Sequence, residues 1–194
     1  MIKLGQATPN QIRYACLRYH YARTIPTSQV SFSCYEDDEF IGVIMYGGGA
    51  SPKLGRQYGL IQGEYLELVR VALNGKQKSP TSKFVALSMK LVKKQKPFLK
   101  LLISFADKSV QNHKGTIYYA TNWVYDGISR ANHLIINGRL THPRSAWTKY
   151  GKDKSKWPKD TQVAKNLEKH RFIYPLDRKW YTEYERQKHK SNVA

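Results

Sequence analysis

Cysteine is scarce in this chain. There are two, Cys16 and Cys34, and they form no C-x-x-C pair. Neither a zinc ribbon nor a disulfide framework is indicated, and a reducing compartment is the expected setting. Long apolar runs are missing as well: no stretch approaches the roughly 18 uninterrupted apolar residues of a membrane span. The start MIKLGQATPNQ carries Lys3 but no apolar core behind it, so no secretory leader is expected and a soluble, cytoplasmic protein is. Internal repeats and low-complexity tracts are absent, which argues against solenoids and disordered linkers. No His, Asp and Glu set has the tight spacing of a facial-triad iron site, so the sequence does not support a metal. Acids are few, 14 Asp and Glu against 33 Lys and Arg, for a formal charge of +19. Between Leu68 and Lys152 only Asp107 and Asp126 are acidic, among 16 Lys and Arg. Such a field points to a polyanionic partner, with a solvated basic surface as the plain alternative.

What is present supports a packed chain. With 194 residues and 41% hydrophobic content, one domain with a real core is the default. A first helix is expected from about Pro9 to Arg23, with Ile12, Ala15, Cys16 and Tyr19 on one stripe. VSFSCYE and FIGVIMYGG then read as a hairpin with the acidic turn EDDE. A third strand, Glu64 to Leu73, leads through NGKQKSP into a helix from Thr81 to Lys96. Ser79 is the cap candidate there, Pro80 takes the first position, and Phe84, Leu87 and Leu91 lie at core spacing. Phe98 to Ala106 is the next strand, parallel to the previous one because a helix of crossover length separates them. After Asp107 come the polar KSVQNH, a helix through GTIYYATNW and a late strand, ANHLIINGRL. From Thr148 on, loop and short helix are expected.

This order of elements is that of the GNAT superfamily of acyltransferases. IYYATNW resembles the superfamily's Leu-Tyr-x-x-x-Gly-Phe element, with Tyr118 in the tyrosine position and Asn122-Trp123 replacing Gly-Phe. The set His20-Tyr21, FIGVIMYGGGA, ELVRVAL, SFAD and HKGTIYYATNWVYDG resembles more specifically the Mom DNA-modification proteins of transposable bacteriophages, over about Gln11 to Ser145. The resemblance implies an α/β (α+β) GNAT-like fold, with a mixed, mostly antiparallel sheet around a central βαβ unit. Residues 1–147 would form the catalytic domain and 148–194 a basic extension packed on it. The implied activity converts adenine in DNA to N6-carbamoylmethyladenine and shields phage DNA from restriction.

The loop between Leu73 and Thr81 stands where a GNAT fold grips the pyrophosphate of acyl-coenzyme A, by helix-terminal amides and the helix dipole. Arg70, Val71, Leu73, Lys78, Ser79, Ser82 and Lys83 are accordingly the expected donor-binding residues. NGKQKSPTSK offers only Gly75 where the usual pattern has two close glycines, a departure that counts against ordinary coenzyme A binding. Asp107, at a strand end, is a candidate to take a proton from the adenine amine, or else a turn residue. Tyr118 is the candidate acid for the leaving group, with core packing as its alternative. Ser104 and His20 complete the catalytic candidates, and His113 is a looser one. Adenine N6 is paired in a duplex, so the base has to be flipped out and stacked. Tyr21, Trp123, Tyr125, Arg144, Lys149 and Lys154 are the expected DNA contacts.

The product adds two carbons and a carboxamide nitrogen. Acetyl-coenzyme A would therefore need a further nitrogen source and an oxidative iron step, whereas a glycyl donor such as glycyl-tRNA supplies every atom. Double-stranded DNA and an activated acyl donor are the expected partners. A conventional acetyltransferase acting on a protein or small amine, and a non-catalytic DNA-binding protein, remain the alternatives.

Overall fold

The structure, a computed structural model, describes residues 1–49, 51–107, 115–141 and 143–191, with the side chains of all of these except 131, 144, 166 and 189–191. Among the described residues eight strands and five α-helices form: β1 Ile2–Gln6, α1 Pro9–Arg18, β2 Val30–Glu36, β3 Glu39–Gly47, β4 Tyr65–Leu73, α2 Thr81–Gln95, β5 Leu101–Asp107, α3 Thr116–Tyr119, β6 Val124–Ile136, β7 Arg139–Thr141, α4 Pro143–Tyr150, β8 Gln162–Pro175 and α5 Arg178–Ser191. The strands hydrogen-bond in the order β1-β2-β3-β4-β5-β8-β6-β7. The pairs β1/β2, β2/β3, β3/β4 and β6/β7 are antiparallel and β4/β5 is parallel, so the mixed sheet with its βαβ unit stands as expected. No described helix is long and apolar enough to cross a membrane.

The chain divides into two compact units. The first comprises Met1–Ser104, Gly115–Tyr125 and Phe172–Ala194, the second Phe105–Lys114 and Asp126–Arg171.

In the first unit helices cover both faces of the sheet. Helix α1 starts with a full capping box between Thr8 and Gln11 and lays Ala15 and Cys16 on Val43, Met45 and Ala72, with Ile12 and Tyr19 packed around them. It stops at Arg18, five residues before the expected end, so His20 lies in the turn beyond the helix. Helix α2 buries Phe84, Val85, Ser88, Met89 and Val92. Leu87 and Leu91 are only half-buried, so the core stripe runs one position off the expected spacing. Pro80 occupies the N-cap with no side-chain cap, so Ser79 does not cap this helix. On this face the Tyr46 hydroxyl meets Ser88 Oγ at 2.6 Å in the interior. Phe98 is exposed, and β5 begins only at Leu101.

In the second unit Leu134, Ile136 and Ala146 form a small core, joined by Tyr150 and Trp157. The late strand expected at ANHLIINGRL is the end of β6, a turn at Asn137-Gly138, and β7. The segment from Thr148, expected as loop and short helix, contributes β8, a 14-residue strand between β5 and β6, and α5. Its alternation is masked by Lys, Glu and His, which is why it does not read as a strand.

Candidate functional site

The site begins with two interruptions in β4. Facing β3, the register shifts between Met45 and Tyr46, which pair with Arg70 and Leu68 and leave Val69 as an extra residue. A bulge of this kind moves the two-residue alternation by one. Glu67 and Arg70, three apart, therefore share the face toward α1. On the other side the parallel ladder with β5 consists of Tyr65/Leu101, Leu66/Leu102 and Glu67/Ile103. Beyond it Ser104 Oγ donates to the Leu68 carbonyl at 3.0 Å, a side chain taking over where the ladder ends.

Arg70 is held by donation from Nη1 to His20 Nδ1 at 2.8 Å and from Nη2 to Thr24 O at 3.3 Å and Oγ1 at 3.2 Å. Its Nε is buried without an acceptor. The Ala22 amide also donates to His20 Nδ1, at 3.1 Å. Arg70 Nη1 also lies 3.1 Å from His20 Nε2, so the guanidinium sits against both ring nitrogens. Burial, then the Arg70 charge, pull the His20 pKa down to about 3, so the imidazole is neutral at physiological pH. The Tyr21 ring lies against His20, tilted at 33° with centroids 4.2 Å apart, and is exposed. Burial lowers the Arg70 pKa, against the opposing effects of Cys16, Tyr21 and Glu67. Of its two possible partners, Glu64 pairs instead with Lys100, at 2.5 Å.

Tyr118 stands where β4 and β5 part. It is 5% exposed, its hydroxyl lies 2.8 Å from Ser104 Oγ, and its ring stacks on Phe172 at 4.7 Å. Burial pushes its pKa up to about 12, partly offset by the bond to Ser104, and Glu67 and Tyr21 are close enough to raise it further. In the first unit His20 thus adjoins Arg70 and Tyr21, and Ser104 meets Tyr118. Asn122 takes φ 60°, the left-handed conformation that a glycine would otherwise supply in IYYATNW. Trp123, expected to stack on a base, is instead core. It is 4% exposed, donates Nε1–H to Met89 Sδ at 3.3 Å, and packs edge-on against Tyr118. Tyr125 keeps an exposed ring against Phe172.

The loop expected to hold a pyrophosphate is already engaged. Glu36, at the end of β2, accepts from the Lys78 amide at 2.6 Å through Oε2 and from the Ser79 amide at 3.0 Å through Oε1. The Ser79 side chain and these amides hold its carboxyl below the usual range. Lys78 and Ser79, expected among the donor-binding residues, thus have their amides engaged by Glu36 in this structure. Ser82 is half-buried and Lys83 exposed in the first turn of α2, while Val71 and Leu73 pair with Ile44 and Gly42 of β3. In the sequence Glu36 reads only as part of a charged turn, and nothing there signals that it reaches residue 78.

Asp107 belongs to the second unit, where Lys169 Nζ lies 3.2 Å from its carboxylate. Asp126 is similarly bound by Arg171, 2.7 Å from Nε to Oδ2. Lys169 and Arg171 of β8 are the partners that sequence reasoning missed. The remaining acids of this unit are also engaged: Glu168 with Arg130, Asp160 with the Asn137 amide, Asp153 with Ser155. Lys152, Lys154, Lys156, Lys159 and Lys165 are exposed, and Lys149 lies over the Tyr150 ring. The Arg144 side chain and His113 lie outside the described residues. Among the described residues no group of three His, Cys, Asp or Glu is placed to hold a metal ion.

The fold is that of known acyltransferases. A Bacillus subtilis acetyltransferase in complex with CoA superposes with TM-score 0.52 at 13% identity, covering 90% of this chain and 97% of that one. A probable GNAT-family acetyltransferase from Chromobacterium violaceum gives 0.54 at 10% identity, covering 90% and 83%. The ribosomal-protein-S18-alanine N-acetyltransferase from Escherichia coli gives 0.51 at 10%, covering 91% and 95%. No curated protein sequence matches. The model of the Mom protein family matches residues 2–192.

Proposed function

Because the chain belongs to the Mom protein family and is a transferase of GNAT-like fold, we propose that it transfers an activated acyl group to the exocyclic amine of adenine in duplex DNA. The product is N6-carbamoylmethyladenine, which protects the DNA from restriction. One observation carries the DNA part. In the second unit thirteen Lys and Arg face five acids, and every one of those acids is engaged by partners within the unit. The remaining positive charge is left to an outside polyanion, and phosphates are the polyanion that a DNA duplex presents.

In this reading the target base leaves its stack, and exposed Tyr21 and Tyr125 are the rings at hand to receive it. Arg70, fixed by His20 and Thr24 with Nε unspent, stabilises the oxygen that becomes negative as N6 attacks the acyl carbonyl. Tyr118, kept protonated by burial, gives its proton to the departing carrier, and Ser104 holds the phenol in place. Neutral His20 acts by positioning Arg70, whose Nη1 lies 2.8 and 3.1 Å from its two ring nitrogens.

Activated glycine fits the product by atom count. N6 forms a bond to the glycyl carbonyl carbon while the carrier–acyl bond breaks. The free glycyl amine then attacks C6 and the C6–N6 bond breaks. The former N6 becomes the carboxamide nitrogen, the glycine nitrogen stays on C6, and no oxidant is consumed. Mass spectrometry of nucleosides from cells fed labelled glycine and expressing the chain tests both parts. Label in the carbamoylmethyl group, counted above that carried by the ring of unmodified adenine, is the expected result. An adduct with no label beyond the ring removes the glycyl route, and unmodified adenine removes the reading.

A further inference from the structure

We propose that Glu36 is a built-in occupant of the anion cradle before α2, so that the acyl donor reaches this enzyme on a carrier that places no diphosphate there. The inference rests on the transferase reading for the existence of a donor and goes beyond it in naming the residue that restricts the donor's class.

Two backbone amides, of Lys78 and Ser79, point at one carboxylate at 2.6 and 3.0 Å. Successive amides at the start of a helix make a general anion site, and a carboxylate offers them two oxygens much as a phosphate would. The acid is not there by chance contact. It ends β2 at the turn Asp37-Asp38, whose φ angles of 51° and 66° are those of a tight hairpin. The turn itself is tied down: the chain's amino terminus binds Asp37, Lys3 Nζ donates to Asp38 at 2.7 Å, and Lys78 Nζ reaches Asp37 at 3.3 Å. Glu36 is 9% exposed. A diphosphate arriving at Lys78 and Ser79 would have to expel this carboxylate and then lie beside it, Asp37 and Asp38, a repulsion that the cradle's two amides alone do not offset. The single glycine of NGKQKSPTSK agrees with the geometry. A loop already filled by its own side chain has no need of a second glycine to admit a ligand.

The test is a titration of the isotopically labelled full chain with inorganic pyrophosphate and with coenzyme A, at a salt concentration high enough to suppress general polyanion attraction, following the Lys78 and Ser79 amide resonances. In the native protein these two resonances are expected to stay in place. In Glu36→Gln, which removes the charge and one acceptor while keeping the side chain's size, they should move, with affinity gained by about tenfold or more. Native amides that shift on adding either compound, in the manner of a displaced Glu36, overturn the proposal. So does a folded Glu36→Gln that binds no better than the native chain. Should Glu36→Gln fail to fold, Glu36→Asp, which keeps the charge but draws it back by one methylene, is expected to show a smaller gain, and no gain overturns the proposal. No DNA enters this measurement, so it fails or succeeds separately from the nucleoside analysis.

Discussion

At the scale of single residues, the site is built from groups whose charge states burial has decided. Burial keeps the Tyr118 phenol protonated, as the proposed acid requires. Tyr118→Phe removes one hydroxyl from a pair in which Ser104 still has the Leu68 carbonyl, so the stability cost is about 1 kcal/mol. Adenine modification should nevertheless fall by about a hundredfold or more, read as adduct per total adenine, if a positioned acid is in use. Full activity in the phenylalanine variant would reassign Tyr118 to the core. His20 titrates in the opposite sense from a paired histidine. Its folded value of about 3 lies below the 6.5 of the free side chain, so between them the unfolded chain holds more protons. Stability should thus rise with pH across that window and be lost as pH falls through it. His20→Asn is expected to flatten the melting temperature between pH 6.5 and 4, and an unchanged slope would assign that acid sensitivity to other groups. Asp107 is more constrained than a free catalytic carboxylate. With Lys169 27% and Asp107 12% exposed, Asp107→Asn leaves a half-buried ammonium unpaired and should lower the melting temperature. The double variant Asp107→Asn, Lys169→Met should recover much of the loss, and only a persisting loss of modification would mark a chemical role for Asp107.

At the scale of elements, irregularities in β3 and β4 place the groups proposed to react. The bulge at Val69 turns Arg70 to the face that holds His20, and the three-pair ladder with β5 leaves room for Tyr118 to meet Ser104. Gly42 marks another such point. It stands at φ 144°, and a Cβ built there would lie 2.0 Å from the Ala72 carbonyl oxygen, a backbone atom that cannot step aside. Gly42→Ala should cost about 3–4 kcal/mol in urea unfolding. Gly5→Ala, whose added carbon would meet Ser33 Oγ at 3.5 Å, serves as the mild comparison, and equal effects would refute the steric account. Much at this scale was legible. The hairpin, the α2 crossover and the parallel pair follow from apolar periodicity and turn residues. The C-terminal end of α1, the cap and buried stripe of α2, and the starts of β5 and of the late strand shifted. Strand β8 was hidden because its Lys, Glu and His residues interrupt the alternation on which a strand assignment depends.

At the scale of the whole molecule, the C-terminal segment takes part in the sheet. Strand β8 lies between β5 and β6 in hydrogen-bonding order, so removing residues 148–194 takes away a strand that both neighbours pair with. The shortened chain is expected to lose its cooperative thermal transition. A sharp transition near the native temperature would show that the segment is an appendage after all.

The amino-acid sequence alone determined the class of fold, the excess of positive charge, and the presence of His20, Arg70, Ser104 and Tyr118, since periodicity, composition and local motifs are properties of neighbours along the chain. It did not determine that Glu36 closes on Lys78 and Ser79, that Lys169 and Arg171 claim Asp107 and Asp126, or that Trp123 is interior. Those pairings join residues 34 to 62 positions apart through strand register and helix packing, and a carboxylate's partner is fixed by which donor, backbone or side chain, the fold brings within reach of it.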